Sequence, residues 1–300
     1  ASDDSTLKVW DLATGAEERT LTGHSAGVRA VAVTQDGRRV ISASDDCTLK
    51  VWGLTTGTLE HTLTGHRRRV LAATATPDGR RVISASRDGT LKVWNLATGM
   101  EERTLTGHRR WVYAVAVTPD GRRIISASLD RTLKVWDLAT GAEERTFSSH
   151  GEVVHAVAVT SDGWHIISAS DCTLKVLDMA TGVEERTLIG HSSVVNAVAM
   201  TSDGRRVISA SLDCTLKVWD LAIGAQKDAL IGHSSGVDSV TVTPDGLRMI
   251  SASRDGTLKV WDLATGAEER TLIGHGSGVS AVAVTPDGCR IISASDDSTL

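Results

Sequence analysis

The sequence predicts an all-β fold built from seven copies of one four-stranded unit. Three observations lead to this prediction. Short alternating segments rich in Val, Ile and Thr are separated by turns that contain Gly and Asp. No long segment shows the periodicity of a helix. A Gly-His or Ser-His pair recurs in steps of 42 or 41 residues, with its histidine at His24, His66, His108, His150, His191, His233 and His275.

The copy that starts at His24 shows how each element is predicted. Its apolar, β-branched segments predict strands at 28–34, 38–44, 48–54 and 58–64. The intervening QDG, DDC and TTG tripeptides at 35–37, 45–47 and 55–57 predict turns, because Gly and Asp tolerate the backbone angles that tight turns require. The other copies repeat this order, which gives about 28 strands in total.

A Trp-Asp pair closes the third predicted strand of most copies. It is intact at Trp10-Asp11, Trp136-Asp137, Trp219-Asp220 and Trp261-Asp262, and altered at Trp52-Gly53, Trp94-Asn95 and Leu177-Asp178. A period of roughly 40–45 residues with Gly-His near its start and Trp-Asp near its end resembles the WD-repeat family, in particular bacterial proteins with near-identical tandem repeats. The resemblance covers residues 1–300, and it implies a single domain that forms a seven-bladed β-propeller with four antiparallel strands per blade.

The two ends of the sequence predict how the ring closes. Residues 1–7 and residues 294–300 both read ASDDSTL. The C-terminal segment carries the first two strands of a copy, and the N-terminal segment carries its last two. We therefore expect the two half-blades to pair, because each alone would expose a sheet edge. Only one copy of ASDDSTL can occupy the shared strand position.

The resemblance implies a hydrogen-bond chain of Trp, Ser, His and Asp within each blade. Each SAS segment offers two serines, and we choose the first, so Ser42 is preferred over Ser44. The seventh set spans the closure, with either Asp4 or Asp297 as its acid. The predicted tetrads are His24, Ser42, Asp46 and Trp52; His66, Ser84, Asp88 and Trp94; His108, Ser126, Asp130 and Trp136; His191, Ser209, Asp213 and Trp219; His233, Ser251, Asp255 and Trp261; and His275, Ser293, Asp4 and Trp10.

Ser, His and Asp together also suggest a hydrolase triad, but the pattern favours a structural role. A catalytic triad occurs once, beside an oxyanion hole, whereas this set recurs around the ring. We therefore predict no catalytic residues. The copy at His150 departs from the pattern, because Leu177 replaces Trp and the turn at Ser170 is one residue shorter. We expect this blade to lack a full tetrad and to be the least stable one.

The positions at which the copies differ predict the binding face. Variation concentrates after the Gly-His pair and before the tetrad Asp, on the face that the resemblance assigns to partners. Two adjacent copies are rich in arginine and aromatic residues there, which favour binding hot spots and anion recognition. A solvated charge run is the alternative interpretation. The predicted site is Arg67, Arg68, Arg69, Leu71, Arg87, Arg109, Arg110, Trp111, Tyr113, Leu129 and Arg131.

Charge, cysteine spacing and the absence of known motifs argue against several classes of function. The net charge of −5 argues against a dedicated duplex-DNA binder, and the four cysteines lack the spacing of a zinc site. No nucleotide-binding motif, secretory signal or 20-residue apolar span is present, so we expect no cofactor, no metal and a cytoplasmic location.

The leading hypothesis is a non-enzymatic protein-binding scaffold or sensing module, part of a larger bacterial signalling protein, with an acidic segment as partner and a monomeric state. The alternative is nucleic-acid or phosphate-ligand binding through the arginines. Two further alternatives fit less well. A sugar site on each blade would need a repeated aromatic set, and a designed consensus protein would not carry the divergent His150 copy.

Overall fold

A computed structural model describes residues 5–148 and 150–295, and within them the chain forms 28 strands in seven four-stranded antiparallel sheets. The sheets are arranged as blades around a ring, which confirms the predicted seven-bladed β-propeller. The strands observed for the first copy agree with the predicted ones to within about a residue at each end.

The strands are named in chain order. The first strands of the blades are β3 (Val28–Val33), β7 (Val70–Ala75), β11 (Val112–Val117), β15 (Val154–Val159), β19 (Val195–Met200), β23 (Val237–Val242) and β27 (Val279–Val284). The second strands are β4 (Arg39–Ser44), β8 (Arg81–Ser86), β12 (Arg123–Ser128), β16 (His165–Ser170), β20 (Arg206–Ser211), β24 (Arg248–Ser253) and β28 (Arg290–Ser295). The third strands are β5 (Thr48–Gly53), β9 (Thr90–Asn95), β13 (Leu133–Asp137), β17 (Thr173–Asp178), β21 (Thr215–Asp220), β25 (Thr257–Asp262) and β1 (Leu7–Asp11). The fourth strands are β6 (Leu59–Thr64), β10 (Glu101–Thr106), β14 (Glu143–Phe147), β18 (Glu184–Ile189), β22 (Ala225–Ile231), β26 (Glu268–Ile273) and β2 (Glu17–Leu21).

Blades 1 to 6 each consist of four consecutive strands, from β3–β6 for blade 1 to β23–β26 for blade 6. The first strand of each blade packs against the first strand of the next, so these strands line the centre of the ring. The loops between blades and the turns between second and third strands emerge on one face, here called the upper face. The other two turns of each blade emerge on the lower face.

The hydrophobic core lies between the blades rather than inside them. One cluster joins Ile41 and Leu49 of blade 1 to Val70, Val82 and Trp94 of blade 2. Equivalent clusters occur at the other boundaries. Second and third strands are therefore mostly buried, whereas fourth strands expose their Glu, Arg and Thr side chains. Burial of apolar area at seven interfaces is the main force that closes the ring.

Blade 7 closes the ring from both parts of the chain. Its strand order is β2-β1-β28-β27, and Leu7 and Trp10 pair with Ala294 and Ile291. The described part of the N-terminal ASDDSTL copy leads into β1, so this copy occupies the shared strand. Residues 296–300 of the second copy lie outside the described residues.

A β-bulge interrupts the first strand of every blade at its second residue. In blade 2, Val70 pairs with Ser86 and Ala72 with Ala85, which leaves Leu71 as the extra residue. Tyr113 and His155 occupy the same place in blades 3 and 4. A bulge changes the direction of a side chain. The variable residues near the upper face are therefore held by a repeated backbone irregularity.

Candidate partner-binding site

Five blades contain a complete hydrogen-bond chain. In blade 1, Trp52 Nε1 donates to Ser42 Oγ at 2.9 Å, Ser42 Oγ lies 2.7 Å from His24 Nε2, and His24 Nδ1 lies 2.7 Å from Asp46 Oδ2. Ser44 instead donates to the Ala26 carbonyl. The same chain joins the predicted residues around His66, His108, His191 and His233.

The donors and acceptors fix the direction of this chain. An indole N–H only donates, so Ser126 Oγ accepts from Trp136 and gives its own proton to His108 Nε2, which leaves Nδ1–H for Asp130. Burial acts to raise the pKa of Asp130, but hydrogen bonds from Thr132, the Arg109 amide and His108 lower it to about 2. Burial lowers the pKa of His108 despite Asp130. The arrangement satisfies every polar group it contains.

This geometry is unsuited to nucleophilic catalysis. Ser42, Ser84 and Ser126 are completely buried, and each hydroxyl is already bonded to Trp and His. A nucleophile needs an accessible oxygen beside a place for substrate. The tetrads therefore have a structural role and stabilise the interior of each blade.

Blade 4 lacks most of the chain. His150 Nε2 lies 2.6 Å from Ser168 Oγ, but Leu177 has no donor for that serine. The shortened turn places Asp171 in the left-handed region at φ 47°, and within the described residues no hydrogen bond joins it to His150. Burial without a carboxylate partner lowers the pKa of His150 to about 4.

The seventh set spans the closing sheet. Trp10 Nε1 donates to Ser293 Oγ at 2.8 Å, and His275 Nε2 lies 2.7 Å from the same oxygen. Both candidate acids, Asp4 and Asp297, lie outside the described residues.

Seven of the predicted partner-binding residues meet on the upper face of blades 2 and 3. They line an open pocket of about 570 Å³, whose lining also includes Asp88, Gly89 and His108. We call this set the upper-face patch: Arg67, Arg68, Arg87, Arg109, Arg110, Trp111 and Leu129. The guanidinium groups of Arg67, Arg68, Arg109 and Arg110 are exposed and form no ion pair in the described part of the chain.

Arg87 is the most constrained cation of the upper-face patch. Its guanidinium carbon lies 4.3 Å from the centroid of the Trp111 ring, a cation–π geometry. Its Nε is buried and has no hydrogen-bond partner within the described residues. Trp111 in turn contacts Tyr113 edge-on, with centroids 6.3 Å apart.

The remaining predicted residues lie beside the patch rather than in it. Arg69 donates to Asp45 of blade 1 at 3.0 Å, so it bridges two blades. Leu71 and Tyr113 are half-buried at the bulges. Arg131 is exposed in the left-handed region at φ 69° and does not line the pocket.

Sequence reasoning missed His155 as a neighbour of the site. Its ring lies 5.1 Å from that of Tyr113, between centroids, and burial lowers its pKa. The row from Arg87 through Trp111 and Tyr113 to His155 therefore crosses three blades. The signal was present, since His155 and Tyr113 occupy the same position in neighbouring copies.

Residues 5–148 and 150–295 contain no cluster of His, Cys, Asp or Glu that could hold a metal ion. Among these residues, none forms a helix long and apolar enough to cross a membrane.

The fold and the repeated tetrads define a repeat propeller whose blades share one internal hydrogen-bond pattern. A family model described as "WD domain, G-beta repeat" matches residues 15–53, 57–95, 99–137, 141–178, 182–220, 224–262 and 266–300. The chain therefore belongs to the WD40 repeat family. Propellers of this family generally mediate protein–protein interactions and are generally not enzymes.

One curated relative is similar over a single stretch. The nuclear distribution protein PAC1-2 of Uncinocarpus reesii (strain UAMH 1704) is 51% identical over 43 residues. This match spans 14% of the chain and 9% of that protein, about the length of one repeat.

Proposed function

We propose that residues 1–300 act as a protein-interaction domain whose upper-face patch binds an acidic segment of a partner. The repeated blades provide a rigid frame, and the patch provides four exposed arginines around a partly exposed tryptophan. Arginine and tryptophan are the residues most enriched at binding hot spots. As in the sequence prediction, the domain would serve as a scaffold or sensing module of a larger bacterial signalling protein in the cytoplasm, and it would be a monomer.

The observation that carries the proposal is the missing carboxylate at Arg87. Arg254 occupies the same position in blade 6, where its Nε donates to Asp238 at 2.9 Å. In blade 2 the position of Asp238 is taken by Leu71. Arg87 thus keeps a cation without the acid that this frame supplies elsewhere. A partner's Asp or Glu would restore the pair as a charge-assisted hydrogen bond.

A defined probe tests this proposal. We would measure binding of a fluorescent peptide of alternating Asp, Glu and Gly by anisotropy, beside the same peptide with Asn and Gln. The protein would be compared with an Arg68→Glu, Arg110→Glu, Trp111→Ala variant. A matched control, Arg38→Glu, Arg80→Glu, Leu247→Ala, carries the same charge change at exposed lower-face residues.

We expect the acidic peptide to bind the wild type and the control, and to lose at least about tenfold in affinity with the patch variant. Equal binding by both variants would contradict the site. If the patch variant alone loses binding, a pull-down from the source's lysate with the same proteins would identify the natural partner.

Nucleic-acid or phosphate binding is the second candidate, because cations beside an aromatic ring also suit single strands. It is tested with a labelled oligothymidine in the same assay. Binding of the oligonucleotide but not the acidic peptide, with a steep loss on adding salt, would replace the protein-segment proposal. The net charge of −5 opposes binding of an acidic peptide. The positive charge of the upper-face patch must therefore outweigh it locally.

A further inference from the structure

The lower face holds a second candidate site at the boundary of blades 3 and 4. A groove of about 530 Å³ opens there, lined by Val135, Glu144, Arg145, Trp164, Met179 and Ala180 among others. The equivalent groove between blades 4 and 5 is lined by the corresponding residues, but its volume is only about 310 Å³. The difference in volume between two repeats of one frame calls for a local cause.

That cause is a rearranged arginine. Four fourth strands carry an arginine that reaches the next blade and donates to backbone carbonyls of its lower turn: Arg19 to Thr55, Arg103 to Ala139, Arg186 to Ala222 and Arg270 to Ala13, at 2.9, 2.8, 2.7 and 2.9 Å. Arg145 holds the same position in β14. Within the described residues it makes no such bond, and it lines the enlarged groove instead.

Phe147 explains why Arg145 is displaced. It is the only phenylalanine of the chain, and the six other copies all have leucine at this position. In the bonded blades the arginine stem lies directly over the glycine of the next turn, as Arg19 does over Gly57. At the boundary of blades 3 and 4, the Phe147 ring takes the place over Gly182. The ring fills the volume that the arginine stem needs.

Two further departures from the repeat line the same groove. Trp164 stands where four other copies have arginine, and it is 63% exposed. Met179 stands where the other copies have leucine. Met179 is only 5% exposed and belongs to the core beneath the groove. The large exposed indole of Trp164 is suited to contact an apolar side chain.

The other charges of the groove already have partners. Asp120 accepts from Thr118 Oγ1 at 2.5 Å and from the Arg122 amide, and Glu144 pairs with Arg123 at 2.7 Å. Asp162 is held in the same way by its own turn. Arg145 is thus the charged group of this groove that lacks a partner within the described residues.

We propose that this groove, the lower-face groove, binds a peptide segment in which an apolar side chain is followed by a carboxylate. The apolar side chain would lie against Trp164, with the buried Met179 at the base of the groove. The carboxylate would take the guanidinium of Arg145, because a planar fork of N–H donors matches a carboxylate bidentately. The site is separate from the upper-face patch, so either can fail alone.

The test labels the protein with 5-fluorotryptophan and follows its fluorine NMR spectrum. Trp164 reports on the lower-face groove and Trp111 on the upper-face patch, with each signal assigned by a Trp→Phe substitution. The probe is a capped Gly-Leu-Glu-Leu-Gly peptide, compared with its Gln counterpart. We expect the Glu peptide to shift the Trp164 signal and the Gln peptide to bind at least about fivefold more weakly.

Phe147→Leu is the decisive variant, because it restores the residue of the sister blades and removes nothing that touches the peptide. We expect Arg145 to return to the carbonyl of Ala180 and binding to weaken about tenfold, while the melting temperature is kept or raised. Leu188→Phe is the matched control, since it should release Arg186 and open the smaller groove. Wild-type affinity in Phe147→Leu, no Trp164 shift in the wild type, or equal binding of both peptides would overturn the proposal.

Discussion

Blades 3 and 4 are neighbours with closely similar sequences, yet their polar interiors differ. In blade 3, Ser126 joins Trp136 and His108, and His108 joins Asp130. Among the described residues, blade 4 keeps a single contact of this hydrogen-bond network, the one between His150 and Ser168. Both blades nevertheless form the same four paired strands. Backbone pairing and apolar packing therefore set the shape of a blade, and the tetrad adds stability to a shape already chosen.

The largest effect should follow from removing the tetrad's tryptophan. Trp136 is 1% exposed, so Trp136→Ala should lower the free energy of unfolding by about 3–5 kcal/mol, through the cavity and the lost hydrogen bond. Chemical denaturation measures this loss. Trp164→Ala is the control, because a 63% exposed side chain should change stability by less than about 0.5 kcal/mol. Similar losses in both variants would argue against a core role for the tetrad.

The serines should separate the two blades next. Ser126→Ala leaves two buried groups, the Trp136 indole N–H and His108 Nε2, without their partner. Ser168→Ala leaves only His150 Nε2. At about 1–3 kcal/mol for each unpaired group, Ser126→Ala should be clearly the more destabilising. Equal unfolding free energies would mean that the indole bond contributes nothing.

Hydrogen exchange should show a smaller difference in the unmodified protein. We expect amides of β15–β18 to exchange about tenfold faster than those of β11–β14, a local opening cheaper by ~1.4 kcal/mol. Exchange followed by mass spectrometry on peptides from each blade provides the measurement. Uniform protection in all seven blades would refute the prediction that blade 4 is the least stable.

Mild acid should widen that difference further. Burial lowers the pKa of His150 to about 4, below the ordinary value of 6.5. The unfolded state therefore binds a proton first, and stability is lost as the pH falls from 6.5 towards 4. Asp130 partly offsets the same effect at His108. Protection, corrected for intrinsic rates, should fall more in blade 4 than in blade 3, and His150→Gln should abolish the extra fall.

Below that range, blade 3 should become the more pH-sensitive of the two blades. Hydrogen bonds keep the pKa of Asp130 at about 2, so its contribution is present above the unfolded value near 3.8 and is lost as the pH falls towards 2. Blade 4 has no such acid joined to its histidine within the described residues. Blade 3 should therefore lose protection selectively between pH 3.8 and 2.

The sequence was sufficient for the fold because every local signal is repeated seven times in one register. The choice between Ser42 and Ser44 could not come from strand alternation, because residues two apart lie on the same face of a strand. Position along the strand decides it, since Ser42 lies beside Trp52 and His24 whereas Ser44 bonds to the Ala26 carbonyl. The sites were harder. The tilted ring contact between Tyr113 and His155 joins residues 42 positions apart, which the ring of blades brings together.

The lower-face groove lay beyond sequence reasoning. Phe147, Trp164 and Met179 are each visible as departures from the repeat. Their common consequence, the release of Arg145, depends on which side chain fills the space over Gly182. That is a question of packing between two blades, and composition and periodicity carry no information about it.

The closing sheet poses a problem of strand pairing during folding, because the sequence of β1 occurs more than once in the chain. The segment TLKVWDL, which supplies β1, also stands at 132–138, 215–221 and 257–263. Strand β28 could pair equally well with any of them if local complementarity alone decided. The choice of β1 must therefore depend on the number of blades, because only a ring of seven blades brings β1 beside β28. Strand β28 is thus matched to β1 by the position of β1 in the ring and not by the amino-acid sequence of β1.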